Sequence, residues 1–256
     1  DTQYGTEAEV GGKISHDNFS DFQFDIHVDA KELLVLNTNS KTEDPYYGTA
    51  FVTGDIDITG PLDEILVSAD VVSAGDTKFY LPIDGATEVD KTGFVTFVDY
   101  SKKEEVIDEP AAININKGVT IDFKIEVDQN ADVAIIVDSD AGNQLESKGV
   151  GNIRLIMKPY SDLEMYGTYT VIQGYYNFVL PVLSQNLLNR KFDVLRGGSV
   201  TWNGDPLGAL ISLTARYSTK ADPSDLLAGG TTGGPTLTIL DLYLSGELTD
   251  PEIRFD

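Results

Sequence analysis

The chain has 256 residues, with 42 acidic against 18 basic side chains, a formal charge of −24 and no cysteine. Nucleic-acid affinity rests on Lys and Arg neutralising phosphates, so this balance argues against a nucleic-acid partner, and it equally disfavours electrostatic docking on an anionic membrane. Disulfides, thiolate nucleophiles and Cys-ligated metals are excluded, and two imidazoles, His16 and His27, are too few for a three-His metal site.

The predicted elements are strands almost throughout, read from period-two alternation. Phe22, Phe24, Ile26 and Val28 share one face, with Gln23, Asp25 and His27 opposite. Val119, Ile121, Phe123, Ile125 and Val127 repeat the pattern over nine residues. Next in order, Pro181 precedes the one segment with helical spacing, Leu183 to Phe192, which ends on Arg190 and Lys191, where cations suit a helix dipole. Ala209, Ile211, Leu213, Ala215 and Tyr217 form a third stripe, and Leu240, Leu242 and Leu244 a fourth. Turn chemistry separates the strands at Gly11-Gly12, Gly60-Pro61, Asp84-Gly85, Asn116-Lys117-Gly118, Gly197-Gly198, Asn203-Gly204-Asp205-Pro206 and Asp250-Pro251. Such spacing predicts an all-β meander with at most one short helix, and 1–256 reads as a single domain. Residues 222–235, rich in Gly and Thr, read as a loop. The stretches Gly48 to Pro61 and Thr236 to Pro251 share a scheme of alternating strand, Gly and Pro-bearing turn, which suits a sheet extended by stacking. The acidic charge is concentrated in the first half: residues 1–128 hold 27 acids and 9 bases. Asp1 is not an initiator Met, so a piece of a longer chain is expected, and no apolar run approaches the roughly 20 residues of a membrane helix.

No catalytic constellation emerges, and the chain reads as a non-enzyme that needs no cofactor and no metal. Asp138-Ser-Asp140-Ala-Gly142-Asn143 has carboxylates two apart, but its Gly comes one place early for a calcium loop and strands flank it, so a plain turn is expected. The acidic pairs in 101–110 sit in a solvated run rather than in the contrasting environments that catalytic carboxylates need. Gly149 and Gly151 lie among strands, where glycines serve turns or bulges, and both histidines read as surface side chains. A surface adhesin or carbohydrate-binding sandwich would call for a calcium site or an aromatic platform, and neither is evident. What remains is the apolar faces. Two sheets packed in a sandwich and one sheet curled into a trough produce the same alternation, so periodicity leaves both open.

The order of features over 138–217 carries further information. Asp138-Ser-Asp-Ala-Gly142-Asn is followed by Gly149-Val-Gly151-Asn-Ile-Arg-Leu, Met165-Tyr-Gly167-Thr-Tyr169 and Gly174-Tyr-Tyr176-Asn-Phe178. Then come Gly197-Gly-Ser-Val-Thr-Trp202-Asn-Gly204-Asp205-Pro206 and Leu213-Thr-Ala215-Arg-Tyr217. This series resembles the C-terminal domain of the TamB family, the inner-membrane component of the translocation and assembly module. The Phe22 to Val28 strand, Leu33 to Thr38 and Tyr47-Gly48-Thr-Ala are similar to that family's pattern as well.

The resemblance implies an elongated, curved and largely open sheet (a β-taco) with an apolar concave face. It also implies a parent chain anchored in the inner membrane that crosses the periplasm to an outer-membrane barrel of the Omp85 class, TamA-like. The implied function is non-catalytic carriage of phospholipid between membranes in outer-membrane biogenesis. The implied alternative is an assembly factor for outer-membrane or autotransporter barrels acting through strand edges. Phe22, Phe24, Ile26, Val28, Ile121, Phe123, Ile125, Ile211, Leu213 and Leu242 are the expected lining against acyl chains, and Trp202 is expected to anchor packing beside a Gly-Asp-Pro turn.

Overall fold

The computed structural model describes residues 6–40, 46–83, 118–139, 142–182, 186–221 and 234–256. The predicted acidic run 101–110 and most of the predicted loop 222–235 lie outside these residues. Fourteen strands form one sheet: β1 (Glu7–Asp17), β2 (Ser20–Thr38), β3 (Tyr47–Pro61), β4 (Ile65–Ser73), β5 (Lys78–Pro82), β6 (Val119–Val127), β7 (Asp132–Asp138), β8 (Asn143–Met157), β9 (Glu164–Val182), β10 (Asn186–Val194), β11 (Ser199–Gly204), β12 (Leu210–Ala221), β13 (Thr236–Glu247) and β14 (Asp250–Phe255). Spatial order along the main path is β1-β2-β3-β4-β6-β8-β9-β10-β12-β13-β14.

Among the described residues there is no helix. The helix expected over Leu183 to Phe192 is instead strand from Asn186, paired antiparallel with β9 from Asn186↔Val182 to Val194↔Gly174. Three leucines at helical spacing are a short signal, and the alternation that places Phe192 and Val194 in the core outweighs it.

Register explains the three strands off the main path. β4 leaves β3 at Val52↔Ser73, and β5 resumes on the same edge at Thr49↔Lys78. β5 therefore prolongs β4 across a short break. β7 prolongs β6 along β8 in the same way, from Val127↔Gly151 to Asp132↔Lys148, and β11 prolongs β10 along β9, from Val194↔Gly174 to Ser199↔Thr170. β4 with β6 and β5 with β7 are parallel pairs, while the other pairings are antiparallel. The six strands β3, β4, β6, β8, β7 and β5 consequently close a ring of pairings around two facing breaks. The all-β expectation is met, but an uninterrupted open sheet is not, because this ring interrupts it.

The breaks lie in one line across the strands. Register shifts in β2 at Ala30/Leu33, at Lys148/Gly149 between β8 and β9, and the breaks at 74–77, 128–131 and 195–198 sit opposite one another. Extra residues bend a strand and raise its local twist, so aligned bulges make a crease. Buried hydroxyls hold it. Thr77 Oγ1 accepts from Phe51 N–H (3.0 Å) and donates to Phe51 C=O (3.2 Å), and Ser73 Oγ accepts from Asp128 N–H (2.8 Å). Gly149 belongs to this line: a Cβ there would meet Thr170 O at 2.3 Å and the Tyr169 ring at 2.6 Å.

Candidate functional site

Tracing the register sideways shows that one face is apolar from strand to strand. Ile26 sits opposite Ile58, which is followed by Val67, Ile121 and Met157. The next row is Val28, Ile56, Ala69, Phe123, Leu155 and Met165. A third runs Ala30, Gly54, Val71, Ile125, Ile153, Gly167 and Trp202. The glycines in that row have a structural reason: at Gly54 (φ +139°) and Gly167 (φ +125°) a Cβ would stand 2.4 Å from Asp70 O and 2.0 Å from Asn152 O. Backbone approaches this closely, with positive φ, only where the side chain is hydrogen.

The opposite face is charged. His27 on β2 lies between Asp57 (Nδ1 to Oδ1, 2.8 Å) and Asp55 (Nε2 to Oδ1, 3.4 Å) of β3. The Asp57 hydrogen bond holds the imidazole pKa above its ordinary value, with Asp55 and Asp29 adding to it. Arg154 clamps Asp122 with two hydrogen bonds of 2.8 and 2.7 Å, and Arg216 clamps Asp241 with two of 2.7 Å. These bonds hold the Asp122 and Asp241 carboxyls below the usual carboxylate range. A shallow depression of about 350 Å³, lined by Asp70, Lys124, Glu126, Asn152, Arg154 and Tyr166 among others, spans residues of this polar side. Among the described residues no three His, Asp or Glu side chains converge as a metal site, and no helix is long and apolar enough to cross a membrane.

The ten residues expected to line a trough fall in two environments. Phe22, Phe24, Ile26, Val28, Ile121, Phe123 and Ile125 are all partly buried. Ile211, Leu213 and Leu242 are 7, 3 and 0 % exposed and belong to the large core cluster of the second half. That cluster also holds Trp202, whose Nε1–H donates to Pro206 C=O at 3.1 Å, and the Asp205 turn is closed by Leu207 N–H donating to Asp205 Oδ1 at 2.9 Å. Within it Ser147 Oγ and Tyr169 Oη lie 3.2 Å apart, and burial pushes the Tyr169 phenol up to about 12. A smaller cluster of Ala30, Val52, Ala69 and Val71 marks the crease of the first half.

Sequence reasoning did not single out Ile56, Ile58 and Val67, which share the face of Ile26 and Ile121. Gly54 and Gly60 interrupt the alternation of β3, and β4 reads Ile-Leu-Val-Ser-Ala-Asp-Val-Val, apolar in both phases. Its phase is fixed by its neighbours rather than by itself. Val10 and Ile14 of β1 continue the same face and are exposed. Among the described residues, both ends of the sheet path, β1 and β14, have one partner strand each.

Compared with family models, the whole chain, residues 1–256, matches the TamB C-terminal domain. No curated protein matches it.

Proposed function

Because the chain belongs to the TamB C-terminal domain family, with a role in outer-membrane assembly and transport, we propose that it is a section of a non-catalytic conduit for phospholipid. The proposed setting is the periplasm, in a longer protein anchored in the inner membrane that meets an Omp85-class barrel, TamA-like, at the outer membrane. The observation that supports this most is the apolar face that continues across β2, β3, β4, β6 and β8 and stays partly exposed over Phe22 to Val28 and Ile121 to Ile125. Exposing acyl chain to water costs about 0.8 kcal/mol per CH₂, so a two-chain lipid in free transit faces a barrier on the order of 20 kcal/mol. A nine-residue strand such as β6 spans roughly 30 Å, the thickness of a bilayer core of two opposed acyl layers and so more than one chain needs. Side chains such as Ile58 and Phe123 offer dispersion without directional bonds, so a chain held there can slide.

The test is native mass spectrometry with lipid extraction on the protein purified from membranes-containing lysate, beside Phe24→Asp and Phe123→Asp variants verified as folded by circular dichroism. Phospholipid bound to the parent and lost from the folded variants is expected. A lipid-free parent protein overturns the reading.

The edges left unpaired among the described residues support a second reading, in which the chain assists barrel assembly by strand addition. β1 offers eleven residues without proline, whereas the short β14 carries Pro251, a residue that blunts edges. Proline at Lys13 that abolishes client-barrel assembly while leaving lipid binding intact would favour this second reading.

A further inference from the structure

The apolar face changes character halfway along the sheet. On the side of the crease cluster that holds Ile26, Ile58, Val67 and Phe123, the side chains of β2, β3, β4 and β6 keep partial access to solvent, whereas past the crease Leu81 of β5 and Ile135 of β7 already belong to the large buried cluster. From β8 onward the same face is filled by the protein's own side chains. Ile153, Met165 and Tyr169 form the near wall of one buried cluster, and Trp202, Phe178 and Phe192 fill it behind them. Phe178 closes edge-to-face on Phe192 (6.1 Å) and on Phe255 (5.8 Å), so the far end curls over itself. Protein interiors pack at crystal density, and a segment packed this way has no room for an added acyl chain unless side chains move.

Resting on the conduit reading, we infer that the channel is blind in this segment. Acyl chains occupy the face over β1, β2, β3, β4 and β6 on the Ile26 side of the crease, stop against Ile153, Met165 and Tyr169, and leave sideways past the strand ends instead of threading between Trp202 and Phe178. The seven partly buried residues expected as lining then form the ligand surface, and Ile211, Leu213 and Leu242 form the stopper.

The unaltered protein tests this without any substitution. It is incubated with phosphatidylcholine vesicles in which a fraction of the acyl chains carry a diazirine, irradiated, digested, and the adducts mapped by mass spectrometry. Adducts in peptides spanning 20–30 and 119–127 at least tenfold over those spanning 209–217 and 240–248 are expected. Comparable yields in both groups overturn the blind end while leaving the conduit standing. No adducts in either group overturn the conduit reading, and the blind end with it.

Discussion

The rings of Phe178 on β9 and Phe255 on β14 stand edge to face with centroids 5.8 Å apart, although β10, β12 and β13 lie between their strands. In a flat sheet four strand spacings would separate the two chains by about 19 Å. The contact is therefore a gauge of curvature: the last strands roll until the apolar face of β14 meets that of β9. Phe178 is buried while Phe255 remains 45 % exposed, which places the contact at the rim of the roll. A double-mutant cycle, Phe178→Ala against Phe255→Ala in urea, is expected to give a coupling of about 0.5–1.5 kcal/mol. Additive effects would mean that the roll is open in solution.

The close approach of β9 to β8 at Gly167 leaves no room for a side chain. Gly167→Ala introduces a Cβ 2.0 Å from Asn152 O at positive φ. It is expected to cost about 2–4 kcal/mol from left-handed strain plus overpacking. Gly197→Ala also sits at positive φ but meets nothing within 4 Å, so about 1 kcal/mol of strain is expected. Thermal unfolding of the two variants side by side separates clash from strain.

The crease depends on hydroxyls as well as on bulges. Thr77→Val keeps the shape and removes both Thr77 hydrogen bonds to Phe51, while Phe51 C=O keeps the bond that it accepts from Ala74 N–H at 2.8 Å. A destabilisation of about 0.5–1.5 kcal/mol is expected in denaturant unfolding, the net contribution of a buried hydrogen bond. A neutral outcome would show that the break is solvated.

Stability is expected to depend on pH through His27. Its folded pKa is raised, first by the Asp57 hydrogen bond, above the unfolded value of about 6.5. A raised pKa contributes stability that is fully present below the unfolded value and is lost as pH rises through the folded one. Unfolding midpoints measured from pH 5 to 9 should fall across that window in the parent and lose this component in His27→Gln. Asp122, held low by Arg154, acts in the opposite sense: its contribution is present above the unfolded carboxylate pKa and is lost on acidification through the folded value.

The strand periodicity of Phe22 to Val28 and Val119 to Val127 was legible because one side of each strand is wet and the other is not, and a period of two survives any curvature. The family, too, was legible, since its glycines and aromatics sit where the backbone needs them, at Gly149, Gly167 and Trp202. The division of the apolar face into an accessible and a filled part was not. Ile121 and Ile211 carry the same side chain in the same alternation, and only the curl of the later strands makes one partly accessible and the other buried. Helical spacing in 183–192 misled for a related reason: the leucine pattern is local, whereas the nine-residue ladder with β9 that decides the conformation is made by a strand outside the pattern. The aligned breaks were equally hidden, because a bulge is a relation between two strands.

The parallel seam has a bearing on how the chain folds. Ile65 pairs with Val119 and Pro82 with Ile136, so every partner across the seam is 54 positions away, while most of the other ladders join strands that follow one another closely along the chain. Hairpin by hairpin growth can complete β1 to β5 and most of β6 to β14 through short loop closures. The seam alone requires the ends of a long loop to meet first, an entropic cost collected before its hydrogen bonds repay it. Two rapidly formed halves that zip together in a slower, rate-limiting step are the kinetic signature such a topology dictates.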